Sequence, residues 1–302
     1  MKKTIGIVLI ALLLAAVMAG CGATTPPATT APAANVTEAP AANNTEAPVS
    51  ILAGIVKTGG STSVEKVMNA LRFQFVEDNP GVTVEYEANG SGDGIKNTIS
   101  GQYELGHSSR ELKTDGTEDG LTAIAYAIDG IAIVVHPDNG VESLTKDQIK
   151  KIYTGEIKNW SEVGGEDGLV TVITREESSG TRAAFAEIVG LEKKDDDATK
   201  IVAEATTCGD TGTVQTTVAG NNKAIGYLSY SDVNENAVKT VKYEDVAITV
   251  ETLKDGSYKL MREFFLLTKD GETLSEAAQA FVDFVTGTEG QAIVAANKLL
   301  PK

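Results

Sequence analysis

Three stretches of this chain repeat one plan: an apolar run of strand length, a turn of glycine, serine and threonine, and then apolar residues at helical spacing. Residues 51–56 read as a strand, Gly59-Gly60-Ser61-Thr62-Ser63 as a turn, and Val64, Val67, Met68, Leu71 and Phe75 as one helical face. Val82, Val84 and Tyr86 alternate as a second strand, followed by the turn from Asn89 to Gly94 and a short helix carrying Ile95 and Ile99. Residues 169–174 predict a strand that runs through Arg175-Glu176-Glu177-Ser178-Ser179-Gly180-Thr181-Arg182 into a helix over 181–189. Elsewhere, 121–135 is a long apolar stretch broken at Asp129-Gly130, and Thr145 with Gln148 forms a capping box opening a helix through Ile149, Ile152 and Tyr153. Residues 264–267 read as a strand, and 274–285 and 291–296 as helices. Such repetition predicts an α/β fold with open sheets.

The three turns have a common chemistry. The first turn of a helix leaves backbone N–H groups unpaired at the positive end of its dipole, and glycine lets an anion approach the backbone closely. Hydroxyls add donors that rotate to fit. One such turn is an ordinary helix cap. Three of them, with Arg110 in the Ser108-Ser109-Arg110 loop and Arg175 in the last turn, point to convergence on one small oxyanion.

Charge narrows the ligand class. The 302 residues hold 42 acidic against 26 basic side chains, a formal charge of −16, with no basic run or stripe, so nucleic acid is excluded as a partner. A field of that sign opposes an approaching anion, so capture has to rest on a few local donors and should respond only modestly to salt. Catalysis finds little support. The nucleophile elbow and the Walker ending are absent from the sequence, the only histidines are His107 and His136, and the two cysteines, Cys21 and Cys208, offer no disulfide framework or Cys/His metal cluster. No cofactor and no metal are expected, and ester hydrolysis stays the weaker alternative.

The first 49 residues differ from the rest. Lys2-Lys3 precede an apolar run over 5–17, shorter than the about 20 residues of a spanning helix, and then Met18-Ala19-Gly20-Cys21. Small residues before a cysteine resemble the lipobox of an exported lipoprotein, so 1–21 is expected to be a signal peptide ending at a lipidated Cys21. Residues 22–49, rich in Ala, Thr, Pro and Asn, read as a disordered tether.

A longer set of motifs occurs in order: Gly60-Ser61-Thr62-Ser63-Val64, Asn79-Pro80-Gly81-Val82, Gly90-Ser91-Gly92 with Gly94-Ile95-Lys96, Ser108 through Lys113, and Asp129-Gly130-Ile131-Ala132. Ile152 through Ile157 with Asn159-Trp160, Arg175 through Arg182, Ala224-Ile225-Gly226-Tyr227 and Glu289-Gly290-Gln291 complete it. Together they resemble the phosphate-binding proteins of Pst-type phosphate ABC transporters. The resemblance implies a two-lobed type II periplasmic-binding-protein fold with hinge crossovers, closing over one phosphate. It also implies that the protein hands its cargo to ABC transporter permease subunits; a lipidated Cys21 would hold it on the outer face of the cell membrane, and it is expected to act as a monomer. Lobe 1 would take 50–135 and 229–302, and lobe 2 would take 136–228.

Carried onto this sequence, the resemblance implies phosphate ligands at Thr62, Ser63, Ser91, Arg110, Arg175, Ser179, Gly180 and Thr181. Arg110 has an alternative in a salt bridge to Glu111 or another nearby carboxylate, and Arg182 is expected at a lobe-closure salt bridge or on a solvated face. Ser178 stands where the family often has glycine, and His107 where an apolar residue is usual; facing the anion, His107 would add pH-dependent attraction. Phosphate near neutral pH carries a proton that a carboxylate can accept, whereas sulfate and molybdate, the alternative oxyanions along with tungstate, do not. Asp129 is the candidate acceptor, with Asp93 behind it and a turn or cap role open for Asp129.

Overall fold

Val56, Val82 and Val84 bury one face of a parallel strand pair, and the strand-turn-helix plan continues from there. The computed structural model describes residues 52–191 and 200–302, within one unit over Ser50–Lys302. The expected signal peptide, Cys21 and the tether lie outside the described residues. In chain order the first elements are β1 (Ala53–Gly60), α1 (Glu65–Asp78), β2 (Gly81–Ala88), α2 (Ser91–Ile99), β3 (Leu105–Ser108) and β4 (Leu121–Val135). Then come β5 (Ser143–Leu144), α3 (Lys146–Tyr153), a 3-10 turn (Trp160–Val163), β6 (Thr171–Arg175), α4 (Gly180–Val189), β7 (Thr206–Cys208), α5 (Thr211–Ala219) and β8 (Ala224–Ser229). A second 3-10 turn (Tyr230–Asp232) leads to β9 (Lys239–Tyr243), α6 (Val250–Lys254), β10 (Met261–Lys269), α7 (Glu276–Thr286), α8 (Thr288–Ala296) and β11 (Leu300–Pro301).

The strands follow the order β2-β1-β3-β10-β4 and continue β4-β8-β6-β7. Pairing is parallel within β1, β2 and β3 and within β6, β7 and β8, and antiparallel wherever β4 or β10 takes part among these strands. This mixed α/β sheet organises two large cores among the described residues, with a small third cluster of Ile95, Phe265 and Leu267. Val67, Met68, Leu71 and Phe75 of α1 pack with Phe264, Phe281 and Val285 in one. Ile133, Tyr153, Trp160, Phe185 and Tyr227 pack in the other, where the Phe185 and Tyr227 rings stack at 4.0 Å.

The long apolar stretch is one continuous strand rather than a broken one. The first part of β4 pairs with β10 and gives Tyr126 and Ala127 to the first core, while Ile131 to Val135 pair with β8 and β9 in the second. Asp129 sits at the changeover, directly across from Arg262 in the β4–β10 register, and that pairing lets a carboxylate stay inside a strand. Lobe 1 was expected to resume at residue 229. Instead Val233, Val238, Val241, Ile248, Leu253, Tyr258 and Leu260 join the second core, because β9 adds to the outer half of β4, and the chain re-enters the first core only with β10. The capping box forms as the sequence predicts, with Thr145 Oγ1 accepting from Gln148 N at 3.2 Å and Gln148 Oε1 accepting from Thr145 N at 2.9 Å.

Candidate anion-binding site

Four helix starts meet where the two cores face each other. The turn after β1 presents Thr62 and Ser63 at the head of α1, Gly90 (φ 104°) turns the chain so that Ser91 opens α2, and Ser179 caps α4 by accepting from Arg182 N at 3.2 Å. The fourth is α5, where Asp210 accepts from Thr213 N at 2.7 Å and leaves Thr211 at the interface. All of Thr62, Ser63, Ser91, Ser179, Thr181 and Thr211 are buried polar side chains. Buried hydroxyls need partners, and here most of them pair with one another, Thr62 and Ser63 reaching across the gap to Thr211 and Thr181. Ser63 Oγ lies 2.7 Å from Thr181 Oγ1, Thr62 Oγ1 lies 3.2 Å from Thr211 Oγ1, and Ser91 Oγ lies 3.2 Å from Ser109 Oγ.

Two guanidiniums enter this hydroxyl cluster. Arg175, 1% exposed at the end of β6, donates from Nη2 to Thr62 Oγ1 at 2.9 Å and from Nη1 to Thr211 Oγ1 at 3.4 Å. Glu176 backs it through Nε at 2.8 Å and Nη2 at 2.7 Å. Arg262, on β10, donates from Nη1 to Thr181 Oγ1 at 2.7 Å and to Ser109 Oγ at 3.2 Å. Its Nε and Nη2 hold Asp129 Oδ2 at 3.1 and 2.9 Å. Burial lowers the Arg262 pKa, Asp129 opposes that shift, and Arg175 adds to it, as two cations sharing one dry region must. Each arginine thus meets a carboxylate on one side and hydroxyls on the other, the arrangement that holds a charge in a fixed direction.

Glycine is required at two contacts between the cores. A side chain at Gly180 would run into the Ser91 and Ser109 hydroxyls, and one at Gly90 would come within 2.8 Å of Ser178 Oγ. Ser178 is accommodated because its carbonyl accepts from Gly92 N at 2.9 Å, so the departure from glycine becomes an inter-core contact.

Of the nine residues expected at the site, Thr62, Ser63, Ser91, Arg175, Ser179, Gly180 and Thr181 come together, and two are placed otherwise. Arg110 commits its guanidinium to Glu118, at 2.8 and 2.5 Å, with Nη1 also donating to the Glu111 carbonyl, so the alternative salt bridge is the one formed. Asp129 is beside the cluster, but its Oδ1 accepts from Ser229 Oγ at 2.9 Å and its Oδ2 is held by Arg262. Burial raises its pKa, opposed by Arg262. Asp93 lies half-buried in the first turn of α2. Arg182 is half-buried, and its Nη1 donates to the Arg175 carbonyl at 3.2 Å.

His107 does not face the cluster. Its buried ring sits edge-on to Tyr86 and Tyr126, with centroids at 5.4 and 6.3 Å, and burial drops its pKa to about 3, so it stays neutral. Sequence reasoning missed Arg262, Ser109 and Thr211. A lone arginine heading the apolar run to Leu267 was a signal for the first, and the Gly209-Asp210-Thr211-Gly212 turn after a short strand for the last.

Known proteins share both the sequence and this architecture. Residues 26–289 match the PBP superfamily domain. The phosphate-binding protein PstS of Bacillus subtilis (strain 168) is 32% identical over 243 residues, covering 79% of this chain and 77% of that protein. The crystal structure of a putative phosphate ABC transporter substrate-binding protein from Clostridium perfringens, with bound phosphate, superposes with a TM-score of 0.78 at 41% identity, covering 82% of this chain and 100% of that one. An ABC-type phosphate transport receptor from Vibrio cholerae superposes with a TM-score of 0.69 at 30% identity, with coverage of 82% and 100%.

Proposed function

This chain belongs to the PBP superfamily and, within it, to the phosphate-binding proteins named PstS, and from that premise we propose that the hydroxyl and guanidinium cluster is its phosphate site. The protein captures inorganic phosphate between its two cores for import by an ABC transporter. The observation that carries the site assignment is the pair of buried guanidiniums, Arg175 and Arg262, each reaching hydroxyls contributed by both cores. Thr62, Ser63, Ser91, Ser109, Thr181 and Thr211 supply hydroxyls that either donate or accept, so a protonated phosphate oxygen finds an acceptor as readily as a bare one finds a donor. Ser179 uses its lone pair on the helix cap and keeps its hydrogen for the ligand, while Gly180 and Thr181 offer first-turn amides. In this reading Asp129 orients Arg262 and is not the proton acceptor, and Arg110 stabilises the loop that carries Ser109. We assign no catalytic step to the cluster.

Closure follows the hinge motion general to two-lobed binding proteins, with β4 and the return into β10 as the crossovers. We place the protein outside the cytoplasmic membrane, tethered through residues 22–49 to a lipidated Cys21 and delivering phosphate as a monomer to the permease subunits. No helix among the described residues is long and apolar enough to cross a membrane. Titration calorimetry with phosphate, arsenate, sulfate and molybdate tests the ligand. Saturable heat with phosphate that Arg175→Ala abolishes is expected; saturation by sulfate or molybdate but not phosphate overturns the assignment. Release of a Cys21→Ala protein from the membrane fraction tests the anchor.

A further inference from the structure

A cleft of about 360 Å³ adjoins the phosphate site, bounded by Thr62 in the turn after β1, Lys66 and Asn69 on α1, Thr211 and Gln215 on α5, and Asp232 in the turn after β8. Its walls belong to different cores: α1 packs with Met68 and Phe75 in the first, while α5 packs through Val214 and Val218 in the second, next to Tyr230 and Val233. Lys66 crosses the gap to donate its ammonium to the Ser231 carbonyl. Beside that contact, Asp232 Oδ2 is shielded from solvent and accepts no hydrogen bond. A buried carboxylate oxygen without a donor is costly when charged and tolerable when protonated.

We propose that Asp232 is an affinity-determining residue of the phosphate site, taking up one proton when the two cores close on the anion. The inference rests on the phosphate reading above. Closing brings α1 against the 230–232 turn and shields Asp232 Oδ2, and opening separates them and hydrates it. The groups facing it are Asp129 from β4 and Glu65 from α1, which favour protonation, and Lys66 from α1 and Arg262 from β10, which oppose it; Tyr86 of β2 faces it as a neutral phenol. Burial is the largest influence and pushes the Asp232 carboxyl up to about 7 in the closed arrangement, whereas a hydrated aspartate titrates near ~3.9. Between those values the closed form binds the proton and the open form does not. Affinity therefore rises on acidification through pH 7, by up to about tenfold per pH unit on this group's account. The proton also cancels a negative charge that would otherwise sit beside a captured anion.

The experiment is calorimetric titration of the full chain with inorganic phosphate at pH 5.5 to 8, in buffers of different ionisation enthalpy, which counts protons exchanged on binding. Proton exchange by phosphate itself is common to wild type and variants and cancels in the difference. Asp232→Asn is expected to bind phosphate with about one proton less taken up near pH 5.5 and a flatter affinity profile, and Asp232→Glu to restore the uptake. Lys66→Met, which removes the ammonium opposing protonation, is expected to carry the uptake to higher pH. The same proton count in wild type and Asp232→Asn overturns the inference and leaves phosphate binding standing. Should Asp232→Asn fail to fold, an uptake profile that Lys66→Met leaves unmoved overturns it equally. No phosphate heat from the wild type overturns the phosphate reading, and this inference with it.

Discussion

The short strand β3, with Ser109 just beyond its end, serves two buried polar regions that treat their polar atoms in opposite ways. On the site side, Ser109 accepts from Arg262 and Ser61, and the hydroxyls around it are bonded to one another. Two residues earlier, His107 turns its ring into the first core, where neither ring nitrogen has a hydrogen-bond partner, and the hydroxyl of neighbouring Tyr126 has none either. The same strand backbone joins them, since the His107 carbonyl accepts from Ser61 N at 3.0 Å. The difference lies in charge. A site that must hold an ion is built from charged groups whose desolvation demands partners, while a neutral imidazole tolerates a partnerless pocket at a smaller cost.

Breaking the paired side should have the largest effect. Arg262→Leu leaves Asp129 buried without its counterion, and is expected to cost about 3–5 kcal/mol of stability along with phosphate binding. The double variant Arg262→Leu with Asp129→Leu removes both charges. Stability should then return toward wild type in urea titrations while calorimetry still finds no binding. A double variant as unstable as the single one would mean that the pair does more than balance charge.

The partnerless side makes a prediction through pH. The His107 pKa is about 3 in the folded chain and near ~6.5 unfolded, so the unfolded chain binds the extra proton first as the solution is acidified. The contribution to stability is full above pH 6.5 and is lost as pH falls toward 3, reaching about 3 kcal/mol lost by pH 4.5. His107→Phe keeps the edge-on ring contacts and removes the titration, so its urea midpoint should fall less between pH 7 and 4.5 than that of the wild type. Equal falls would show that the imidazole is already solvated. A smaller effect is expected at the seam between the cores: Gly180→Ala sets a methyl against Ser91 and Ser109, which should weaken phosphate binding by about 1–3 kcal/mol in calorimetry with little change in the unfolding of the ligand-free protein.

These two regions also mark how far the sequence could be read. The turns at Ser61 to Ser63, Gly90 to Ser91 and Ser179 to Thr181 were legible because helix starts, glycine and hydroxyls are local signals. The second arginine was not. Whether Arg110 or Arg262 reaches the cluster depends on the β4–β10 register, which sets Arg262 opposite Asp129 across 133 residues of sequence, and no local pattern encodes a register between distant strands. The misplaced return at residue 229 has the same origin, since β9 joins β4 through a long-range pairing that periodicity does not reveal.

The smallest predicted effect separates the two arginines most cleanly. Arg110 and Glu118, with side chains 13% and 11% exposed, form a pair that also takes Lys113 N, and together they fold the loop after Ser109. Burial pushes the Glu118 carboxyl up, but Arg110 and Lys113 together outweigh it and leave the group below its usual range, so the pair is formed at neutral pH. Acting only through loop order, Arg110→Ala should weaken phosphate binding by no more than about 1 kcal/mol, or roughly fivefold. Glu118→Gln should reproduce much of that loss, because removing either partner frees the same loop. An arginine that touched the anion would behave otherwise, losing a charge-assisted bond worth about 1.5–3 kcal/mol or more in a buried site, with Glu118→Gln freeing it to bind more tightly. The sign of the Glu118→Gln effect therefore decides whether Arg110 belongs to the loop or to the ligand.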